Sequence, residues 1–311
     1  MEQAFFLLSG NRRGGGKVLK TSDSRFGVLV SVPGLVALLA IIVFPVLFNV
    51  YVSFLRYDNI TPIRFVGLKN YTVVLSSSEF LNSLKVSVTY SLSSTTLAFV
   101  LGLIIAYSLT RIKKAQTLFR TLVILPWAVP LVVSGFMWRW IFDTDIGVLN
   151  HILVSLHFID EKIAFLSHPQ LAMIAGILAT AYVYIPFMMI YLLAGMENIR
   201  NEFYEAATVD GADNVQQFWY ITAPLIRKQA VFAFLLILMI TVRAPDIFFA
   251  LTGGGPGKST YHIGLFLKDT MYKFLRFGHG STIGVVLTVL TFAIAFPLFY
   301  FALTGRTDGG E

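Results

Sequence analysis

The chain has 311 residues, of which 56% are hydrophobic and only 13% charged, about half the charged share of a soluble globular protein, so the composition excludes a soluble domain and points to a membrane. The absence of cysteine removes disulfide frameworks, thiol nucleophiles, thiolate zinc sites and iron–sulfur clusters. The formal charge of +7 is dispersed among apolar runs instead of forming one basic domain, which excludes a nucleic-acid partner and reads as a topology signal.

Residues 1–25 read as a polar, Gly-rich cytoplasmic tail. Phe5 to Leu8 is too short for a signal-peptide core and precedes the basic residues that such a core should follow. A membrane domain then runs over residues 26–304, with a short cytoplasmic tail at 305–311. Uncharged runs long enough to cross a bilayer cover 26–55, 86–110, 163–196 and 279–305. Two weaker spans complete the set: 121–142, clean as far as Trp138 but crossed by Arg139, and 229–251, interrupted by Arg243 and Asp246. The expected fold is therefore all-α, with six transmembrane helices. With the N-terminus inside, thirteen Lys and Arg fall in inner segments, among them Arg111, Lys113, Lys114, Arg120, Arg200, Arg227 and Lys228, against nine in outer segments. Lys and Arg concentrate in cytoplasmic segments, so both termini are expected in the cytoplasm.

The longest polar connection, residues 197–228, carries its own helix signals. Asn201 suits a cap for a helix through Glu202, Phe203, Glu205, Ala206, Ala207 and Val209, and Gly211 suits its stop. Asp213 suits a second cap. Val215, Phe218, Trp219 and Thr222 follow at helical spacing as one apolar face, and Pro224 ends the run. Composition alone allows two readings of this amphipathic pair, a docking surface for a protein or an interfacial pair lying on membrane lipid. The spacing goes further. Glu205-Ala206-Ala207, three residues, Gly211, nine residues, Ile221, two residues and Pro224 resembles the cytoplasmic EAA signature of ABC importer membrane subunits. The resemblance implies a coupling helix seated in a cleft of an ATPase subunit, with Glu205, Ala206, Ala207, Asp210, Gly211, Ile221 and Pro224 as coupling residues. The family usually has Leu before the proline; Ala223 stands there, which implies looser packing.

Other stretches extend the resemblance. Phe65 to Tyr71 reads FVGLKNY, the third predicted span contains Pro126, Trp127, Ala128, Val129 and Pro130, and Gly147 and Asn150 follow it. Asp246 followed by Leu251, Thr252, Gly253, Gly254, Gly255 and Pro256 resembles an ending typical of the maltose-type first permease subunit of carbohydrate importers. That family implies the type I ABC importer permease fold and a multi-pass place in the plasma membrane of a bacterium or archaeon. It also implies four partners: a second homologous permease, a dimer of ATPase subunits that bind ATP and magnesium, an external solute-binding protein, and a carbohydrate cargo, a disaccharide or short oligosaccharide, carried by alternating access. In this chain itself no cofactor is expected.

Gly253 to Thr260 reads GGGPGKST, yet the position where a phosphate-binding loop needs its first glycine holds Thr252, and no strand precedes it. The five histidines show no metal-ligand spacing. No pair of acid and base residues and no nucleophile elbow is visible, so neither a metal site nor an enzyme is expected. Arg243 and Asp246 are costly in a span. At i and i+3 they could pair with each other, or line a wet cavity beside Pro245, which breaks the helix; the two readings are compatible. Sugar recognition needs aromatic faces and hydrogen-bonding groups. Tyr182, Tyr184 and Phe187 are the aromatic candidates, and the positions of Tyr184, Phe187, Ile237, Ile240, Thr241 and Ala244 match family positions that line the cargo cavity. Apolar residues replace several polar ones of the maltose pattern, so the likeness does not extend to maltose itself. The alternative is a proton- or sodium-coupled carrier with Asp246 as coupling carboxylate; such carriers commonly carry internal repeats, and none is found here.

Overall fold

The computed structural model describes residues 21–112 and 116–304. The predicted tails, apart from residues 21–25, lie outside the described residues, as do Lys113 and Lys114. Residues 21–25 belong to the first helix, α1 (Thr21–Leu38), which passes through a π turn at Leu39–Val43 into α2 (Phe44–Ser53). Apart from the half-buried Val43, the large apolar side chains from Val30 to Phe48 are exposed, the surface expected of a helix that meets lipid tails.

From Val52 onward the chain forms a separate unit. A two-residue antiparallel ribbon, β1 (Leu55–Arg56) and β2 (Arg64–Phe65), pairs Leu55 with Phe65 and Arg56 with Arg64, a small departure from an all-helical chain. Helices α3 (Lys69–Leu75), α4 (Ser78–Arg111), α5 (Gln116–Ile124), α6 (Leu131–Ile141), α7 (Val148–Ser155) and α8 (Pro169–Glu197) follow. The connection after α8 holds α9 (Asn201–Val209), α10 (Asn214–Gln217), a π turn at Phe218–Thr222 and α11 (Ala223–Leu225). Then come α12 (Arg227–Arg243), α13 (Asp246–Leu251), α14 (Ile263–Lys268) and α15 (Phe277–Thr304).

The four uncharged runs coincide with the four helices long and apolar enough to cross a membrane: Val30–Ser53, Ser78–Arg111, Pro169–Glu197 and Phe277–Phe296. The two weaker spans are bent or broken. Helix α5 and its 3-10 continuation meet α6 at 96°. Pro126 opens that 3-10 turn and Pro130 precedes α6, and two residues with fixed φ and no N–H cannot continue a straight helix. The fifth predicted span stops at Arg243 and resumes at Asp246. On its other side, the helical run Asn214–Leu225 is bent by 71° from Arg227–Arg243.

Helices α4 and α8 pack along each other over most of their length, in a seam that sets the small buried residues Ala98, Gly102 and Ala106 of α4 against Ala181, Ile185, Met188 and Met189 of α8. Between membrane helices, where lipid removes the usual hydrophobic drive, close approach through small residues supplies the packing energy. A Cβ on Gly102 would meet the Met188 Cβ, the Met189 amide nitrogen at 3.0 Å and the Ile185 carbonyl. Nearer the start of α8, Gly176 accommodates the Phe248 ring of α13, with Ala175 and Ala179 against Ile247 and Leu251 of the same helix, and α12 lies against α15, α4 and α8. Gly102→Leu should therefore overpack the seam and destabilise by about 1–3 kcal/mol, read as a lower thermal transition of the detergent-solubilised protein; an unchanged transition would mean that the two helices part freely there.

Candidate functional site

The connection between α8 and α12 forms a tight elbow. After α9 the chain turns through Asp210 and Gly211, whose φ is +82°, with Gly211 N–H donating to the Thr208 carbonyl (3.1 Å) and Ala212 N–H to the Ala207 carbonyl (2.8 Å). A Cβ on Gly211 would meet no atom of this chain, so glycine is required for its backbone conformation and the space beside it is open. Asp213 then caps α10 as expected, in a reciprocal box with Gln216. Glu205 and Ala206 are exposed, Ala207 and Ile221 half-buried, and Pro224 exposed. Val209, Trp219 and Tyr220 present large apolar surfaces at 87%, 64% and 80% exposure. The surface mixes small and apolar groups with the exposed carboxylates of Glu205, Asp210 and Asp213.

Three expectations for this elbow need correction. Asn201 does not cap α9; it already lies within the helix, and Arg200 precedes it without a side-chain bond. Pro224 does not end the second helix, because it sits in the first turn of α11, where its missing N–H has no partner to lose. The four residues expected on one apolar face are separated. The π turn at Phe218–Thr222 inserts an extra residue per turn, so Thr222 is buried and Phe218 half-buried while Val215 and Trp219 face outward.

The elbow is tied to α4 by residues that sequence reading missed. The Tyr107 hydroxyl donates to the Asn214 carbonyl (2.8 Å), and Arg111 Nη2 donates both to the Tyr107 hydroxyl oxygen (2.7 Å) and to Gln217 Oε1 (3.2 Å). Gln217, itself buried, donates through Nε2 to Thr208 Oγ1 (3.1 Å) and the Ala212 carbonyl (3.2 Å). Tyr107 meets the Phe218 ring edge-on at 5.1 Å, Tyr204 and Thr222 share a 2.9 Å hydroxyl bond, and Arg120 pairs with Glu197 at the end of α8. Arg111 was visible in sequence only as an inner-side charge.

At the other end of the bundle the predicted cargo residues divide. Tyr184 and Ile237 are buried in one cluster, with Phe187 packed against it; Phe187 stacks on Tyr191 at 5.9 Å. Thr241 is buried and its hydroxyl lies 3.3 Å from that of Thr95. Asp246, half-buried, is within electrostatic reach of Tyr90 and Tyr184. Tyr182 is apart from this group, edge-on to Trp138 at 5.5 Å, and Ile240 and Arg243 are exposed. Trp138 Nε1 and Ser134 Oγ, both on α6, are buried with no hydrogen-bond partner among the described residues.

Arg243 and Asp246 form no ion pair; they are absent from the four among the described residues. The helical i, i+3 geometry does not apply, because Ala244 is extended (φ −88°, ψ 106°) and Pro245 separates α12 from α13. Pro245 has no N–H to give the Thr241 carbonyl one turn below. His262 supplies it: this fully buried ring places Nε2 3.2 Å from the Thr241 carbonyl oxygen, while Nδ1 accepts from Gly264 N–H at 3.0 Å. The two bonds together require the neutral Nε2–H tautomer. Burial, opposed in part by the bond to Thr241, holds the imidazole down at about 4. The same connection is pinned to α4, since Ile263 N–H donates to Ser87 Oγ (2.7 Å) and Lys258 pairs with Glu79. Lys258 is thus engaged in an ion pair, not poised over a phosphate loop. Among the described residues no group of His, Asp and Glu could hold a metal.

Two motif residues act as backbone clamps. Asn150 donates to the Ile163 carbonyl (2.9 Å) and accepts from Ile163 N–H (2.9 Å). Asn70 donates to the Ser53 and Leu55 carbonyls, both at 2.8 Å.

Comparison with known proteins places these features in a group. Residues 98–309 match the family model described as binding-protein-dependent transport system inner membrane component. The trehalose/maltose transport system permease protein MalF of Thermococcus litoralis is 36% identical over 91% of this chain and 94% of its own. The sulfoquinovosyl glycerol transport system permease protein SmoG of Agrobacterium fabrum is 32% identical over 89% and 90%. Among solved structures, a bacterial alginate ABC transporter in complex with an alginate pentasaccharide-bound periplasmic protein contains a chain of similar fold, with a TM-score of 0.80 and 19% identity over 94% of this chain and 99% of that one.

The His262 bonds generate a prediction. His262→Ala leaves the Thr241 carbonyl and the Gly264 N–H unpaired and should destabilise by about 1–3 kcal/mol for each. Because the folded-state pKa lies below the unfolded value, the unfolded chain binds the extra proton, and this residue's contribution falls as pH drops from 6.5 towards 4. His262→Gln keeps a donor and an acceptor but does not titrate. Thermal unfolding between pH 7 and 4.5 should therefore fall more steeply for the parent chain than for His262→Gln; parallel curves would refute the assignment.

Proposed function

The chain belongs to the binding-protein-dependent transport system inner membrane component family, and from that premise we propose that it carries a disaccharide or short oligosaccharide through the membrane by alternating access. As a member it is the non-catalytic, multi-pass permease subunit of a prokaryotic ABC importer, with ATP handled by separate ATPase subunits. This membership sets aside the ion-coupled carrier that would use Asp246. The proposed assembly has the N-terminus in the cytoplasm, a second homologous permease, an ATPase dimer under the elbow and a solute-binding protein outside.

The elbow carries the reading. Glu205, Ala206, Ala207, Asp210, Gly211, Ile221 and Pro224 lie on a surface with open space beside Gly211, suited to insertion into a cleft of a partner. Closure of the ATPase pair on ATP moves the elbow. Its bonds through Asn214 and Gln217 pull Tyr107 and Arg111, and so α4; the small-residue seam passes the displacement to α8, which bears Tyr184 and Phe187. ATP can drive this only by binding one arrangement better than the other. For the cargo, Tyr184 and Phe187 offer aromatic faces for the CH surfaces of sugar rings, and Thr241, Asp246 and Arg243 offer hydrogen-bonding groups, while Ile237, Ile240 and Ala244 narrow the same path; Tyr182 offers a separate aromatic face beside Trp138. The unpartnered Trp138 Nε1–H and Ser134 hydroxyl supply a donor and an acceptor for sugar hydroxyls, which supports a carbohydrate.

Two experiments follow. Gly211→Val, which places a β-branched residue in the left-handed region, and Arg111→Ala, which cuts the tie to α4, should each lower uptake more than tenfold while basal ATP hydrolysis by the assembled complex persists; Gly211→Asn, tolerated at positive φ, should retain most uptake. Near-normal uptake in Gly211→Val contradicts the coupling role. Solute-stimulated ATP hydrolysis tested across disaccharides, oligosaccharides and glycerol phosphates should respond to a sugar of two or more units. Stimulation by a glycerol phosphate alone replaces the carbohydrate assignment.

A further inference from the structure

The FVGLKNY stretch takes no part in coupling or in the cargo path, yet it helps to build a hollow of about 350 Å³ at the end of the bundle away from the elbow. The walls come from β1 and the turn after it, from β2 and the start of α3, and from the start of α15. Their backbones are fixed. Asn70 clamps the Ser53 and Leu55 carbonyls, Gly278 N–H donates to the Tyr57 carbonyl (3.1 Å), and Gly278 has no room for a Cβ against the Leu55 carbonyl.

The hollow is strongly cationic. Arg56, Arg64, Lys69 and Arg276 line it against a single carboxylate, Asp58. That carboxylate is already engaged: it accepts from Thr61 N–H and Oγ1 (both 2.8 Å), Ile60 N–H (3.1 Å) and Arg56 Nε (3.2 Å), and the Thr61 amide above all holds it well below the usual carboxylate range. Arg64, Lys69 and Arg276 have no carboxylate partner among the described residues. Around the hollow the same ribbon and its turn expose large apolar side chains, Ile60 at 82% and Phe65 at 71%, with Ile63 and Leu68 beside them. A soluble anion would gain nothing from that apolar rim. A phospholipid needs both parts, cations for its phosphate and apolar surface for the glycerol and first methylenes.

We propose that this hollow binds the phosphate headgroup of an anionic lipid in the outer leaflet, with Arg64, Lys69 and Arg276 on the phosphate oxygens and Ile60 and Phe65 inserted beside the acyl chains. The outer-leaflet placement rests on the orientation proposed above; the lipid site itself does not, because the binding measurement needs no transport.

The test uses the purified full chain in detergent, with retained and added lipid read by native mass spectrometry. Phosphatidylglycerol should be held at least about tenfold better than phosphatidylcholine, with a preference that weakens as salt rises. Arg64→Gln with Arg276→Gln should bring the two lipids to near parity, and Ile60→Ser with Phe65→Ser should weaken both. Lys69→Gln, at an exposed position, gives a single milder variant should a double variant fold poorly, and thermal transitions verify folding. Equal retention of both lipids by the parent chain overturns the proposal. So does displacement of the lipid by inorganic phosphate at equal concentration, which marks a soluble-anion site. Charge variants that keep the lipid preference but lose stimulation by the external binding protein also overturn it, because the cations then serve a protein interface.

Discussion

A bilayer offers no water to a helix that breaks, so every carbonyl or amide released at an interruption has to find a partner within the protein. That constraint organises the second half of the chain. Pro245 opens the fifth span beside Asp246, and the connection that follows folds back far enough to bring His262 onto the orphaned Thr241 carbonyl. The glycine-rich run is part of the same solution. Gly253, Gly254 and Gly257 adopt positive φ, and Thr260 bonds both Thr252 (2.7 Å) and the Gly255 carbonyl (2.6 Å), so the backbone reverses and reaches α4, where Ser87 receives Ile263 N–H. A run that looks like nucleotide chemistry in one dimension is a device for closing a broken helix in three.

The same logic separates rigid from responsive parts. Asn70 and Asn150 each satisfy two backbone groups with one side chain, holding the short connections at the non-elbow end. The elbow is held differently, by hydroxyl, amide and guanidinium bonds from Tyr107, Arg111, Tyr204 and Gln217, of which the exposed Arg111 and the half-buried tyrosines can exchange partners with water at modest expense. Strong clamps therefore lie where the helices are interrupted, and exchangeable ties lie at the elbow.

Much of this was legible from composition and turn chemistry. The four uncharged runs became four membrane-length helices because length and apolarity are properties of a segment alone, and Gly211 and Asp213 were readable because a stop and a cap are local. The right-angle bend of the third span was not. Pro126 and Pro130 entered the sequence reading only as part of a family likeness, and hydropathy carries no direction. The apolar face Val215, Phe218, Trp219 and Thr222 failed because its phase assumed 3.6 residues per turn through a π turn. The Arg243–Asp246 pair failed for a sharper reason: it assumed a continuous helix across Pro245, which the same residues showed to be broken. His262 was out of reach because its partner lies 21 positions away, and only the fold makes them neighbours. Tyr182, grouped with Tyr184 by sequence, faces elsewhere because positions two apart on a helix point about 200° apart.

Helix α4 runs for 34 residues without interruption, about 50 Å end to end. A rod of that length converts angle into travel: a tilt of about 5° about one end carries the other roughly 4 Å, more than the diameter of a water molecule. The elbow grips this rod at one tip and the ion pair between Glu79 and Lys258 joins the other tip to the return segment, so a small rocking at the elbow is enough to part or seat groups at the opposite end of the helix.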